Sequence, residues 1–310
     1  MRILQSKPVR IGTRGSALAL AQAHETRARL MAAHGMSEND FEIAVIKTMG
    51  DQILDRPLSE VGGKGLFTKE IEDALLSGDI DMAVHSSKDM PTVLPEGLEI
   101  SAFLPREDVR DAFISPKAKT LADLPSGAIV GTASLRRQAI VKRLRPDLEV
   151  VTYRGNVQRR LKKLADGVVD ATLLAYSGLK RLGMEDVVTS VLDEDAFLPA
   201  VGQGAICIET RVGDAATGAL LGAIHDQATA ECLAAERAFL KVLDGSCRTP
   251  IAGLARLADR RLSLRGMILR PDGSEAHEMS GECDAADGVA LGQRIGQALK
   301  ERGGPGFLIG

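Results

Sequence analysis

Short apolar runs alternate with helix-patterned stretches through the first two-thirds of the chain, as a parallel sheet with crossover helices requires. Residues 9–13 read as a strand, and Ser16 is placed to cap a helix running to about His34. Residues 41–47 alternate as a strand should, 66–76 are helical, and 80–85 and 98–104 are strands again. A Pro-Arg-Glu-Asp stretch at 105–108 then interrupts the pattern as a hinge would. A second unit starts near Asp111, with strands at 128–131, 149–153 and 171–175 separated by helices that begin near Ser134 and Asn156. Residues 195–204, with Pro199 and two glycines, read as another linker. A strand at 205–209 and helices at 214–224 and 228–243 follow.

From residue 251 the pattern changes. Residues 251–257, 261–269 and 275–282 read as successive antiparallel strands, with a turn at Pro271-Asp272-Gly273 and a covering helix at about 285–302. This is an α+β module distinct from what precedes it, and no internal repeat is evident. A length of 310 residues suits two or three domains. Aromatic residues are 3% of the chain, with no Trp, which argues against a site that reads bases or sugars by stacking. The N-terminal apolar stretch is too short for a secretory signal and no run is long enough to span a bilayer. Cys207, Cys232, Cys247 and Cys283 are scattered without a C-x-x-C pair, so a reducing cytoplasm is expected and neither a disulfide framework nor a metal site is.

Charge is distributed unevenly. The formal net charge is −3, yet between Gly131 and Lys163 ten basic residues face two acidic ones, Asp147 and Glu149. A solvated helix face accounts for Lys142, Arg143, Lys162 and Lys163. It does not account for Arg136 and Arg137 at a helix start, where the macrodipole is already positive, nor for Arg154 at a strand end. Arginine at such places suits bidentate recognition of carboxylates or phosphates. Two partners fit, nucleic acid or a small ligand with many carboxylates. GTASLRR (131–137) opens a helix after a strand, so its amides and the hydroxyls of Thr132 and Ser134 form an anion-binding turn. Arg14 and Ser16 in TRGSALALAQA (13–23) repeat the design, and two such turns in successive α/β units suggest a ligand held between domains.

In VHSSKDMP (84–91) a buried strand ends at His85 and delivers Ser86, Lys88 and Asp89 into a turn, at the strand end where open α/β sheets bind ligands. Lys88 and Asp89 form either a surface pair or a carboxylate set for acid-base or cation-stabilising work beside an anion-binding ammonium. Cys247 lies in DGSCRTPIAG (244–253) among Gly, Ser, Arg and Thr, where a neighbouring Arg favours thiolate chemistry, unlike Cys207 inside an apolar run.

Together these segments resemble the porphobilinogen deaminase (hydroxymethylbilane synthase) family nearly end to end. The resemblance rests on TRGSALALAQ (13–22), KTMGD (47–51), VGGKGLFTKEIEDALL (61–76), VHSSKDMP (84–91), REDVRDAFIS (106–115) and GTASLRRQ (131–138). It continues through YRGNVQRRLKKL (153–164), LAYSGLKRLG (174–183), LPAVGQGAICIE (198–209) and GSCRTPIAG (245–253). It implies two periplasmic-binding-protein-like α/β domains and a small C-terminal α+β domain with a three-stranded antiparallel sheet. Domain 1 would take 1–104 and 200–224, domain 2 would take 105–199, and domain 3 would take 225–310.

The resemblance also implies the chemistry. A dipyrromethane cofactor would be joined through a thioether to Cys247, and four porphobilinogens added to it with loss of ammonia before hydrolysis releases hydroxymethylbilane for tetrapyrrole (haem) biosynthesis. Each pyrrole carries an acetate and a propionate, so the growing chain is a polyanion. Asp89 would be the catalytic carboxylate. Ser86, Lys88, Thr132, Ser134, Arg136 and Arg137 would hold the primer, and Arg14, Ser16, Arg154, Arg160 and Arg181 the incoming ring and growing chain. Lys64 and Phe67 match a loop over the cleft, and Arg159 falls between matched residues. The expected partners are porphobilinogen and the linear oligopyrrole, with no nucleic acid, membrane or metal, in a cytoplasmic monomer.

Overall fold

A computed structural model describes residues 7–52, 68–245 and 249–308. In chain order, β1 (Val9–Arg14), α1 (Ala17–His34), β2 (Phe41–Ile46), α2 (Met49–Gln52), α3 (Lys69–Ser77), β3 (Met82–Ser86) and β4 (Leu98–Phe103) come first. Next are β5 (Asp111–Ile114), β6 (Ile129–Gly131), α4 (Leu135–Leu144), β7 (Glu149–Val151), α5 (Val157–Ala165), β8 (Ala171–Ala175), α6 (Tyr176–Arg181) and β9 (Ser190–Val191). The chain continues through β10 (Ile206–Arg211), α7 (Ala215–Gly222), α8 (Gln227–Val242), β11 (Ile251–Ala258), β12 (Arg261–Leu269), β13 (Ala276–Asp284) and α9 (Gly288–Gly303).

Two compact units result. The first takes 7–52, 68–106 and 205–229 of the described residues. Its five-stranded sheet has the order β2-β1-β3-β10-β4, with β1 parallel to β2 and β3, and β10 antiparallel to both its neighbours. Val9 and Ile11, Met82 and Val84, and Ile206 and Ile208 bury one face of this sheet against Ala23 and Leu30 of α1. Ser16 caps α1, accepting from the Ala19 amide at 3.2 Å, and Gly35 ends it in the left-handed region.

The second unit takes 107–204 and the described part of 230–308. Its larger sheet has the order β7-β6-β8-β5-β9, with β6 parallel to β7 and β8, and β5 antiparallel to β8 and β9. This is the topology of the first unit again. In each sheet the antiparallel strand second from the edge follows the crossing from the other unit. Its smaller sheet, β11-β12-β13, is an antiparallel meander whose inner face packs Leu262, Leu264 and Ile268 on Phe239 of α8 and Leu291, Ile295 and Leu299 of α9. Leu269 of β12 reaches the core of Phe113, Val130 and Leu173, which joins this module to the larger sheet.

The sequence pattern marks the parallel strands and misses two others. β5 registers there only as the start of a unit, and β9 has two residues, too few for periodicity to show. The two crossings run together, with the Glu107 amide donating to the Gly204 carbonyl at 3.2 Å. Gly204 has φ +88°, and a Cβ there would lie 2.4 Å from the Glu107 carbonyl oxygen, so only glycine fits.

Candidate active site

In the first unit, β1 and β3 are parallel neighbours, so their carboxyl ends share one edge of the sheet. Arg14 ends β1, and Ser86 ends β3 before a 3-10 turn, Ser87–Asp89. The turn is held by Ser87 donating its amide to Ala205 at 3.0 Å and by Met90 donating to Ser87 at 3.2 Å. Arg14, Ser16, Gln22, Thr68, His85, Ser86 and Asp89 thus come to line one cavity of about 70 Å³. Asp89 is exposed, while Lys88 beside it is half-buried. The Ser86 hydroxyl is fixed by Gln22, accepting from Nε2 at 2.8 Å and donating to Oε1 at 3.2 Å. Sequence reasoning passes over Gln22. Its signal is a long polar side chain at a position of the Ala/Leu-rich α1 that is only 3% exposed.

In the second unit the corresponding strand ends belong to β6, β7 and β8. Gly131 closes β6 beneath the Tyr153 ring, which a Cβ would approach to 2.6 Å. Thr132 pairs with the incoming strand, donating its amide to Val151 at 3.0 Å and accepting from the Tyr153 amide at 3.2 Å. Its hydroxyl accepts from the Ser134 amide at 3.2 Å, and the Ser134 hydroxyl caps α4 by accepting from the Arg137 amide at 3.4 Å. Arg154 follows β7. Arg160 sits in the first turn of α5 and donates Nε to Gly155 at 2.8 Å, and Arg181 at the end of α6 donates to the Gly204 carbonyl at 3.0 Å.

Arg136 and Arg137 are engaged within the protein. Both are buried, and both meet Asp111 at the start of β5, which is 0% exposed. Arg136 Nη2 donates to Asp111 Oδ2 at 2.7 Å, and Arg137 Nη2 and Nε donate to Oδ1 at 2.7 and 3.0 Å. Arg136 Nη1 donates to the Leu198 carbonyl and Arg137 Nη1 to the Leu173 carbonyl, and Gln203 Nε2 adds a further bond to Oδ1 at 3.1 Å. Burial alone would push the Asp111 carboxyl up, but the two guanidiniums overcome it and hold it down at about 2. One carboxylate against two guanidiniums leaves a net positive charge in this buried cluster. Arg136 Nε, buried, has no hydrogen-bond partner among the described residues. Nothing local singles out Asp111 as a site residue, because its partners lie 25 and 26 residues away.

Cys247, Lys64 and Phe67 lie outside the described residues. Of the remaining cysteines, Cys207 and Cys232 are buried, and burial pushes the Cys283 thiol up. Among the described residues, no helix is long and apolar enough to cross a membrane.

Residues 9–219 match the family model described as "Porphobilinogen deaminase, dipyromethane cofactor binding domain", and residues 230–301 match "Porphobilinogen deaminase, C-terminal domain". The chain belongs to the porphobilinogen deaminase family. It is 60% identical over 301 residues to the porphobilinogen deaminase of Paracoccus denitrificans (strain Pd 1222), a match covering 97% of this chain and 96% of that protein. Among solved structures it resembles the VFT2 domain of Bordetella pertussis BvgS, at 19% identity and a TM-score of 0.43 over 74% of this chain and 92% of that one. It also resembles a periplasmic substrate-binding protein of an ABC transporter from Coxiella burnetii, at 13% identity and a TM-score of 0.44 over 72% and 94%. Its porphobilinogen deaminase fold is mixed α/β, with two five-stranded sheets and a three-stranded antiparallel one.

Proposed function

We infer that the chain is a transferase of tetrapyrrole biosynthesis that condenses porphobilinogen head to tail on a covalently held dipyrromethane and releases hydroxymethylbilane. The observation that carries the reading is an exposed carboxylate, Asp89, on the wall of a cavity that also presents Arg14, Ser16 and Ser86. A pyrrole bearing two carboxylates and an N–H needs that combination, cations and hydroxyls for its edges and one anion for its ring. A dipyrromethane fits the second unit chemically, because the net positive charge left by Arg136, Arg137 and Asp111 suits its carboxylates. Ser86, Lys88, Thr132, Ser134, Arg136 and Arg137 would hold it and Cys247 would anchor it. When bound, it supplies the nucleophilic pyrrole carbon to which the first ring is joined.

The chain's own residues then have separable tasks. Arg14, Ser16, Arg154, Arg160 and Arg181 bind and orient the carboxylates of the incoming ring and of the growing polyanion. Asp89 accepts the pyrrole N–H and stabilises the positive charge that develops as ammonia departs, an interaction stronger in the transition state than in the ground state. The protein acts as a monomer in the cytoplasm, on porphobilinogen and its oligomers and not on nucleic acid.

Intact-mass analysis tests the reading. The purified protein should carry two linked pyrrole units beyond its polypeptide mass, and Cys247→Ser should remove them together with activity. A fully active wild-type protein of unmodified mass would overturn it.

A further inference from the structure

A group of titratable side chains stands behind the wall of the Asp89 cavity and has no task in the condensation as proposed. His85 lines the cavity with Asp89, and its Nε2 lies 3.1 Å from Oε2 of Glu209 on β10. Register explains the meeting. Cys207 is opposite His85 and Glu209 is opposite Ala83, so His85 and Glu209 are diagonal neighbours on one face of the sheet. Glu209 is 0% exposed, and its Oε1 has no hydrogen-bond partner among the described residues. Glu72, in the first turn of α3, is 6% exposed, and its Oε1 is equally without one.

A carboxylate oxygen removed from water and left unpartnered is costly, and two in one place call for a reason. Holding β10 against β3 does not supply it, because the strands already share a ladder over four residue pairs. Burial pushes the Glu72 carboxyl up; the Thr68 side chain opposes this and the charge of Glu209 adds to it. Further charged residues stand on neighbouring elements. They are Arg14 at the end of β1, Lys88 and Asp89 after β3, Asp73 on α3, and Arg211 on β10, which is committed to Asp214 at 2.8 Å.

We propose that His85, Glu209 and Glu72 form a proton relay that serves the carboxylate of Asp89. The proposal rests on Asp89 being the acid at the reacting ring. In each condensation a carbon–carbon bond forms while the carbon–nitrogen bond of the incoming ring breaks, its electron pair leaving with ammonia. The ring being extended then loses the proton on its newly bonded carbon, and that C–H electron pair restores aromaticity. Asp89 takes this proton and passes it to the His85 imidazole, whose new charge Glu209 balances. His85 returns the proton through Asp89 to the ammonia, which leaves as ammonium, so the relay is reset for the next ring. Glu72 shares the negative charge of the cluster, and so the imidazole can accept a proton without a change in the surrounding fold. His85 and Glu209 are in this sense positioning and relay residues, acting through Asp89.

Glu209→Gln keeps shape and a hydrogen bond to His85 while removing the charge. With the protein confirmed by intact mass to be primer-loaded, kcat should fall about tenfold and KM should stay within about twofold, as for a step of proton transfer. The pH dependence of kcat should change as well, because the imidazole has lost its counter-charge. A folded, loaded Glu209→Gln protein with wild-type kcat and pH profile would overturn the relay. So would a loss of kcat that only matches a smaller folded fraction. If Glu209→Gln does not fold, His85→Ala replaces it, with added imidazole expected to restore turnover and failure to do so counting against the proposal. Full activity of Asp89→Asn would sink the assignment of Asp89, whereas the pH profile of Glu209→Gln judges the relay separately.

Discussion

A carboxylate can be legible in a sequence through its neighbours or only through its fold, and Asp89 and Asp111 divide along that line. Asp89 follows a buried strand by a few residues and is flanked by Ser86 and Lys88, so its place at a strand end follows from the local sequence. Asp111 looks like the first residue of an apolar strand, and nothing local says that Arg136 and Arg137 will both close on it. For the same reason the sequence does not show that the guanidiniums of both arginines are buried against that carboxylate. Asp89→Asn separates charge from shape. Because Asp89 is exposed, the variant should fold as the wild type does. Its turnover should fall on the order of 10²–10³, the typical loss for a fixed electrostatic stabiliser. Product formation, read beside the intact mass of enzyme-bound intermediates, checks this. Wild-type turnover in the variant would move attention to another acid.

Elements are legible where periodicity and caps agree. Ser16 and Ser134 both read as helix starts, and both do cap, at α1 and α4. Strand ends drift by at most two residues: β3 runs one residue past its expected end, and β7 stops two short of its own, where the chain turns toward Arg154. The Ser134 hydroxyl satisfies the Arg137 amide, while its own amide donates to the Thr132 hydroxyl and would still do so in an alanine variant. Ser134→Ala should therefore cost about 1 kcal/mol of stability, as lost serine caps do. It should also slow primer loading, because the anion-binding turn loses a hydroxyl. Urea denaturation gives the first quantity and the rate of mass gain on adding porphobilinogen to apoprotein gives the second. Normal loading in a variant that is destabilised as expected would confine Ser134 to the cap.

At the scale of the molecule, a single chain builds the same five-stranded topology twice without a sequence repeat that announces it. The alternation of strands and helices is enough to give the parallel strands of each sheet. It cannot give β10 or β5 their places, because an antiparallel strand inserted beside β3 or β8 has the same apolar run as a parallel one. Asp111 sits where the chain enters the second sheet, so its ion pairs fasten β5 to α4 and to the Leu198 linker, and acid should release them. The folded carboxyl titrates at about 2, below its ordinary value of 3.8, so the group stabilises the second unit at every pH above that ordinary value. As pH falls from about 4 toward 2, the unfolded chain takes up the proton first and the contribution is lost, on the order of 2 kcal/mol. The chain has two tyrosines and no tryptophan, and Tyr153 and Tyr176 both belong to the second unit, so tyrosine fluorescence follows that unit. Denaturation midpoints read by tyrosine should therefore drop steeply across this interval. The drop should persist in about 0.5 M salt, since screening weakens exposed pairs such as Lys117–Asp170 far more than a carboxylate with no exposure. A drop that vanishes in salt would assign the acid sensitivity to the surface pairs and not to Asp111.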